Sequence, residues 1–295
     1  MNKVNIYGGL GNQMFQYAMA IGLKERGIDS RVSFRDFFLY NHHNGYELPL
    51  AFQIQMGKEE RLKYWLLTKL TFLWNTKFVK KAVYIYFKFF TTVFERCVLE
   101  KEQFKFDDSV FGIRDSRLIG TWQSVDYFLG YEPKLREKFK FREPSDQFNV
   151  RLAEQIRDCN SVAVHIRRGD YTNSEWRNSH MVFKNLTYYK RSIELFSKRF
   201  SNPVFYFFSD DMDWVKENFN SENFRFVDHN RESSSYIDMY LMSLCSGFII
   251  ANSTFSWWAA WLSERQNKQV IIPNTWINGM QTPGIYPDGW NIEMV

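Results

Sequence analysis

Five short apolar runs, separated by helical patterns, dominate the second half of the chain and leave it few folds to adopt. Residues 161–165, 204–208, 224–227, 248–251 and 270–272 read as strands, and residues 186–200, 212–219, 234–245 and 255–264 carry helical spacing between them. Strands that are apolar along their whole length, alternating with helices, predict a parallel sheet covered on both faces. The opening repeats the unit once: a strand at residues 4–7, a turn through Gly8-Gly9-Leu10-Gly11, a helix over 12–26 closed by Gly27, and a strand at 31–34. The charged, proline-containing stretch 134–149 is the best boundary, which predicts domains at 1–145 and 146–295. The expected class is therefore α/β with two Rossmann-like halves.

A segment between the halves, residues 60–97, breaks this pattern. It is rich in Trp, Phe, Tyr and Lys, and Lys77, Lys81 and Lys88 share one helical face. Such an element suits a membrane interface, and it suits equally a helical pair packed on the sheet with its lysines in water. Peripheral association with the cytoplasmic face of the inner membrane therefore stays open. The longest apolar stretch, 244–262, is broken near its middle by Asn252, Ser253 and Thr254, which does not fit a transmembrane span. Residues 1–7 read as a strand rather than a signal peptide. The three cysteines have no paired or metal-ligand spacing. A cytoplasmic address follows. The net charge of +5 suits a polyphosphate ligand and is too small to argue for nucleic acid.

Ligands of open α/β sheets bind at the carboxyl ends of the strands, and three segments put polar residues there. The first is Gly9, Leu10, Gly11 and Asn12, where a glycine turn meets a helix N-terminus that attracts phosphate. Met14 occupies the third glycine position of the dinucleotide fingerprint, so NAD and FAD are poorly supported. The second is His165-Ile166-Arg167-Arg168-Gly169-Asp170-Tyr171. Adjacent arginines at a strand end match phosphate oxygens through bidentate, charge-assisted bonds. The third opens at Asp238 and runs through a helix and a buried strand to Asn252-Ser253-Thr254-Phe255-Ser256, a hydroxyl-rich turn whose side chains can cap the following helix or grip a phosphate.

Together, the Gly9-Leu10-Gly11-Asn12-Gln13-Met14-Phe15-Gln16-Tyr17-Ala18 opening, the block from His165 to Tyr171 and the block from Ile249 to Leu262 resemble the α-1,2-fucosyltransferases of glycosyltransferase family 11. The resemblance spans nearly the whole chain. It implies a GT-B fold, two Rossmann-like domains facing a central cleft, with an acceptor-side N-terminal domain and a GDP-fucose-binding C-terminal domain. It implies inverting transfer of L-fucose from GDP-β-L-fucose to the 2-hydroxyl of a galactoside glycan, with no metal and no further cofactor. Carried over residue by residue, it makes Arg167 the partner of the donor β-phosphate, with Arg168 in support. His165 and Asp211 become guanine contacts, Thr254, Phe255 and Ser256 the phosphate turn, and Asn12 the asparagine that reaches the fucose.

A strand followed by Asp211-Met212-Asp213 also resembles the manganese signature of the other large glycosyltransferase fold. The arginine pair already supplies the positive charge that a metal would bring. The general base is open between Asp170 and Glu175, and Glu175 reads equally as an ordinary loop charge. Asn41, His42 and His43 are candidates for the acceptor side. Two other readings remain: a transferase using another GDP-sugar or linkage, and a glycan-binding protein without activity.

Overall fold

The computed structural model describes residues 1–34, 44–54, 96–169 and 186–293. The chain divides into two compact units, Met1–Lys140 and Phe141–Val295. Each is an α/β unit built on a sheet whose named strands all run parallel, as the strand–helix alternation predicts.

In the first unit, strand β1 (Asn2–Asn5) leads into helix α1 (Leu10–Glu25), followed by β2 (Ser30–Ser33), the short helix α2 (Leu48–Ala51), β3 (Arg96–Leu99), β4 (Ser116–Ile119) and α3 (Glu132–Lys138). The strand order is β2-β1-β4-β3. Helix α1 buries Leu10, Met14, Phe15, Ala18, Met19 and Leu23, whose spacing keeps them on the core side. It closes as expected at Gly27: the N–H of Gly27 donates to the Lys24 carbonyl and that of Ile28 to the Leu23 carbonyl, a Schellman ending.

Strand β1 lies two residues earlier than its hydropathy suggests, because Asn2 and Asn5 are buried within it. Their amides are satisfied. Asn2 donates to the Ile113 carbonyl and accepts from the Ser116 N–H, while Asn5 accepts from Arg117 Nη1. Cys97, taken from the sequence as the end of the aromatic insert, belongs to β3, and the rest of that insert (60–95) lies outside the described residues. Neither β3 nor β4 was anticipated.

The second unit opens with α4 (Gln147–Arg157), capped by Asp146, whose carboxylate accepts from the Asn149 N–H. Then follow β5 (Ser161–Ile166), α5 (Thr187–Arg199), β6 (Val204–Ser209), α6 (Met212–Asn218), β7 (Phe224–Val227), α7 (Tyr236–Ser243), β8 (Gly247–Ile249), α8 (Thr254–Leu262), β9 (Gln269–Pro273) and β10 (Asn291–Glu293). The order β10-β9-β8-β5-β6-β7 makes β5 and β8 central. All six residues of β5 are buried, which is why Val162 to Val164 read as a short apolar run.

Tyr188, Tyr189 and Phe196 from α5 pack with Val162, Val164, Phe205 and Phe207. The two tyrosine hydroxyls do more than fill space. Tyr188 donates to the carbonyls of Ile250 and Ile271, and Tyr189 to that of His165, so both tie down the carboxyl end of the sheet. Among the described residues no helix is long and apolar enough to cross a membrane.

Candidate functional site

In a parallel sheet every strand delivers its carboxyl end to the same edge. On the second unit that edge gathers the residues after β5 (Arg167 to Gly169), after β6 (Asp210, Asp211), between β7 and the first turn of α7 (Asp228 to Asp238), and from β8 into α8 (Ile250 to Ser256). Two of the three segments expected to carry chemistry meet here.

The arginine pair is held by an aspartate pair. Asp210 accepts from the backbone N–H of Arg168 (2.8 Å) and of Gly169 (3.0 Å), and its Oδ2 lies 3.1 Å from Arg167 Nε. Arg168 Nε lies 3.0 Å from Asp211 Oδ2, and the Arg168 guanidinium sits 3.8 Å from the centre of the Trp214 ring, a cation–π contact. Gly169 suits this packing: a Cβ there would come within 2.8 Å of Asp210 Oδ2, and that carboxylate would have to shift. The Arg167 side chain keeps 30% of its surface exposed, so it is held and yet accessible.

Asp211 does not present a spare carboxylate. Besides Arg168 it caps α6 by accepting from the Trp214 N–H. A base bonded there, as expected for a guanine contact, would share those oxygens with Arg168 and the cap. Asp210, passed over in the sequence in favour of Asp211, organises the loop, because the parallel register puts Ile166 beside Ser209 and brings the two strand ends together.

His165 is buried at 5% exposure, and its Nδ1 is 2.8 Å from Ser256 Oγ. The Ser256 hydroxyl donates to the Ser253 carbonyl, so it accepts from His165 Nδ1–H and leaves Nε2 with the lone pair. Burial, and next the nearby Arg167 charge, push the imidazole pKa down to about 3. The ring is neutral, and it works as a brace between β5 and the start of α8. Any contact it makes with a base is restricted to what its buried ring can reach.

Ser253 is the residue before α8, and its side chain makes no capping bond to that helix. Ser256 faces His165. The two hydroxyls are therefore not used up as caps, and the positive end of α8, flanked by partly exposed Ser253, Thr254 and Phe255, borders the arginine segment. Asn252 departs from its expected role: it is buried, and its Nδ2 donates to the Trp276 carbonyl, which fixes the segment after β9.

One residue that opens the third segment in the sequence gains a role only from the structure. Asp238, in the first turn of α7, accepts from Asn230 Nδ2, and burial, helped slightly by the Asp228 charge, raises its pKa to about 7. The residue keeps partial exposure on the same edge of the sheet. Its only sequence signal was position: an aspartate at the start of a helix leading into a buried strand.

The first segment behaves differently from expectation. Gly9 precedes α1, and Leu10 and Gly11 are buried in its first turn. The N–H groups of Asn12 and Gln13 bond to the Gly9 carbonyl, and the Leu10 N–H donates to the Glu47 carboxylate. The positive end of α1 is thus already satisfied by the chain's own anion, which corrects the expectation that it stands open for phosphate. Glu47 is 4% exposed, and burial raises its pKa against the lowering effects of Asn44 and Leu10. Asp170, Tyr171, Glu175 and the stretch Asn41, His42 and His43 lie outside the described residues. Asp213, the second acid of the Asp-x-Asp, is an exposed residue in the first turn of α6. Among the described residues no cluster of three or more His, Cys, Asp or Glu side chains is placed to hold a metal ion.

Comparison with known proteins adds independent findings. The profile of glycosyl transferase family 11 matches residues 97–293. An α-1,2-colitosyltransferase of Escherichia coli is 34% identical over 284 residues, covering 91% of this chain and 90% of that protein. The O-antigen biosynthesis glycosyltransferase WbnK of Escherichia coli is 28% identical, covering 96% and 97%. A galactoside α-(1,2)-fucosyltransferase 1 of Aotus azarae is 34% identical over 107 residues, 35% of this chain and 28% of that one. Among solved structures, the α-1,6-fucosyltransferase NodZ soaked with GDP-fucose aligns over 88% of this chain and 91% of its own, with a TM-score of 0.48 and 15% identity.

Proposed function

We propose a function from one premise: the chain belongs to glycosyl transferase family 11 and is a glycosyltransferase. The proposed reaction is inverting, metal-independent transfer of L-fucose from GDP-β-L-fucose to the 2-hydroxyl of a galactoside, in cytoplasmic synthesis of a surface glycan. The observation that carries it is the pair Arg167 and Arg168 at the end of β5, beside the start of α8 whose preceding Ser253 side chain does not cap it.

The leaving group of such a reaction is a diphosphate, and its charge grows as the sugar–oxygen bond breaks. A fixed guanidinium aimed at that oxygen lowers the barrier more than it stabilises the bound donor. In this reading Arg167 meets the β-phosphate, and Ser253, Thr254 and the first N–H groups of α8 hold the phosphates. The acceptor hydroxyl attacks from the opposite face and passes its proton to a carboxylate, for which Asp170 and Glu175 are the candidates. Asn12 acts in the transfer step. Guanine recognition calls for a carboxylate that accepts from its N1–H and amino group. Asp238 suits this better than Asp211, because Asp211 is engaged by Arg168 while Asp238 is held by a neutral amide.

One observation favours a second donor. The relative covering 91% of the chain is named for colitose, which is fucose without its 3-hydroxyl. The deciding experiment offers GDP-fucose and GDP-colitose with a panel of β-galactosides and reads product mass and linkage. An α-1,2-fucosylated product supports the first donor, and a product formed from GDP-colitose alone replaces it. No product from either, with no GDP binding by calorimetry, rejects the reading.

A further inference from the structure

The first unit carries a device that none of the reaction chemistry above requires. Three buried glutamines converge on the loop between β1 and α1. Gln13 donates from Nε2 to the carbonyls of Gly8 (2.9 Å) and Gly45 (2.8 Å) and accepts from the Glu47 N–H. Gln16 accepts from the Tyr7 N–H and donates to the Gly120 carbonyl. Gln123 donates from Nε2 to Asn12 Oδ1 at 2.9 Å. Gln13 and Gln16 have no exposed surface and Gln123 has 5%, whereas Asn12 is partly exposed. Burying a primary amide is costly unless its bonds are made, so each pairing has a direction that the structure holds firmly.

The segment that delivers Gln123 is itself locked. Glu100, just after β3, accepts from the Thr121 N–H (2.7 Å), the Thr121 hydroxyl (3.1 Å) and the Trp122 N–H (3.1 Å). Gly120 allows this approach, since a Cβ there would lie 2.4 Å from the Glu100 Cβ. Trp122 adopts a left-handed backbone with φ of 54° while 2% exposed, a strained state for a bulky residue. Its indole N–H is buried and has no hydrogen-bond partner among the described residues. Strain and an unmet donor persist only where the surroundings over-determine the conformation. The product of this arrangement is one donor, Gln123 Nε2, aimed at one acceptor, Asn12 Oδ1. The Asn12 amide nitrogen consequently turns to the Gly8 side, where it lies 3.0 Å from the position of a Cβ on Gly8.

We propose that Gln123, locked in place by Glu100, is a positioning residue that fixes the orientation of the Asn12 amide for the transfer step. The inference rests on the role given to Asn12 above. Misplacing a reacting contact by a fraction of an ångström costs turnover far more than it costs stability.

The test is a double-mutant cycle on the full chain with Asn12→Ala and Gln123→Ala, with Gln123→Glu as a near-isosteric variant. We expect Gln123→Ala to lower kcat on the order of 10- to 100-fold with KM for the donor little changed. Adding it to Asn12→Ala should lower kcat no further. Gln123→Glu should regain activity as the pH falls, because a protonated carboxyl can donate to Asn12 Oδ1 and an ionised one cannot. In parallel, the Asn12 side-chain amide is followed by NMR after asparagine-selective 15N labelling. Its resonances should shift or broaden in Gln123→Ala and Gln123→Glu.

Multiplicative losses in the double mutant, or an unmoved Asn12 amide, would overturn the proposal. If the wild-type chain transfers no sugar, the reaction reading fails on its own, and the NMR arm still decides whether Gln123 orients Asn12.

Discussion

Replacing Asp238 by asparagine tests the burial that raises its proton affinity. The carboxyl titrates at about 7 in the folded chain against 3.8 as its ordinary value. Between those values the folded state holds a proton that the unfolded state has lost, so the proton count is higher in the native form and stability falls as pH rises. The slope is about 1.36 kcal/mol per pH unit, which over ~3 units gives about 4 kcal/mol as an upper bound. Partial exposure lets water screen the ionised form, so about 2 kcal/mol is the working figure. The contribution is fully present below pH 3.8 and gone above pH 7. An asparagine does not titrate, so Asp238→Asn escapes this loss. The assay is urea unfolding of both proteins at intervals from about pH 4 to about pH 8, taking the difference in unfolding free energy at each pH. Other titrating groups cancel in that difference. The variant should gain on the wild type steadily across the window and level off above pH 7. A difference that stays constant within about 0.5 kcal/mol would show that Asp238 is ionised throughout, and the reasoning would fail.

Three further outcomes are expected. Arg167→Ala should lower turnover on the order of 10² or more, with circular dichroism unchanged, and near-normal kcat in the folded variant would remove Arg167 from the leaving-group role. Gly169→Ala forces a Cβ against Asp210 Oδ2, so GDP affinity by calorimetry should fall roughly tenfold with little loss of stability; unchanged affinity would mean that the loop is not held as described. Glu100→Gln replaces one acceptor oxygen by an NH2 group that cannot accept, so either the Thr121 or the Trp122 N–H loses its partner. It should destabilise the chain by about 1–3 kcal/mol in a denaturant titration, and a loss under about 0.5 kcal/mol would show that the turn does not depend on Glu100.

What the sequence made legible follows from what each signal depends on. Strand β5 could be read because its buried centre, Val162 to Val164, is apolar. Strand β1 was displaced because Asn2 and Asn5 are buried through partners more than 100 residues away, at Ile113 and Arg117. Strand β4 hides a buried Arg117 whose charge is met by Asn5 and Ser33, so hydropathy alone argues against it. The arginine pair was visible because two guanidiniums after an apolar strand need an anion. The identity of the group that organises them was not visible, because the choice between Asp210 and Asp211 is made by the β5–β6 register. Asp238 was named without a role for a related reason, since its proton affinity comes from burial and not from its neighbours in sequence. The turn at residues 8–11 misled in the opposite way: its glycine pattern suggested an empty anion site, and Glu47 fills it from more than thirty residues away.

The Asp210–Arg167 contact has a kinetic meaning. On the proposed reaction, the arginine assigned to the diphosphate already holds a carboxylate in the same protein, only 3.1 Å away. An incoming donor must win that guanidinium from Asp210, and a departing GDP finds Asp210 ready to take it back. Such an internal competitor weakens the resting grip on the nucleotide while leaving the charge available when the leaving group develops its own. On that proposal it would shorten the dwell time of the spent nucleotide, and so act on how often the enzyme can fire rather than on how tightly it holds.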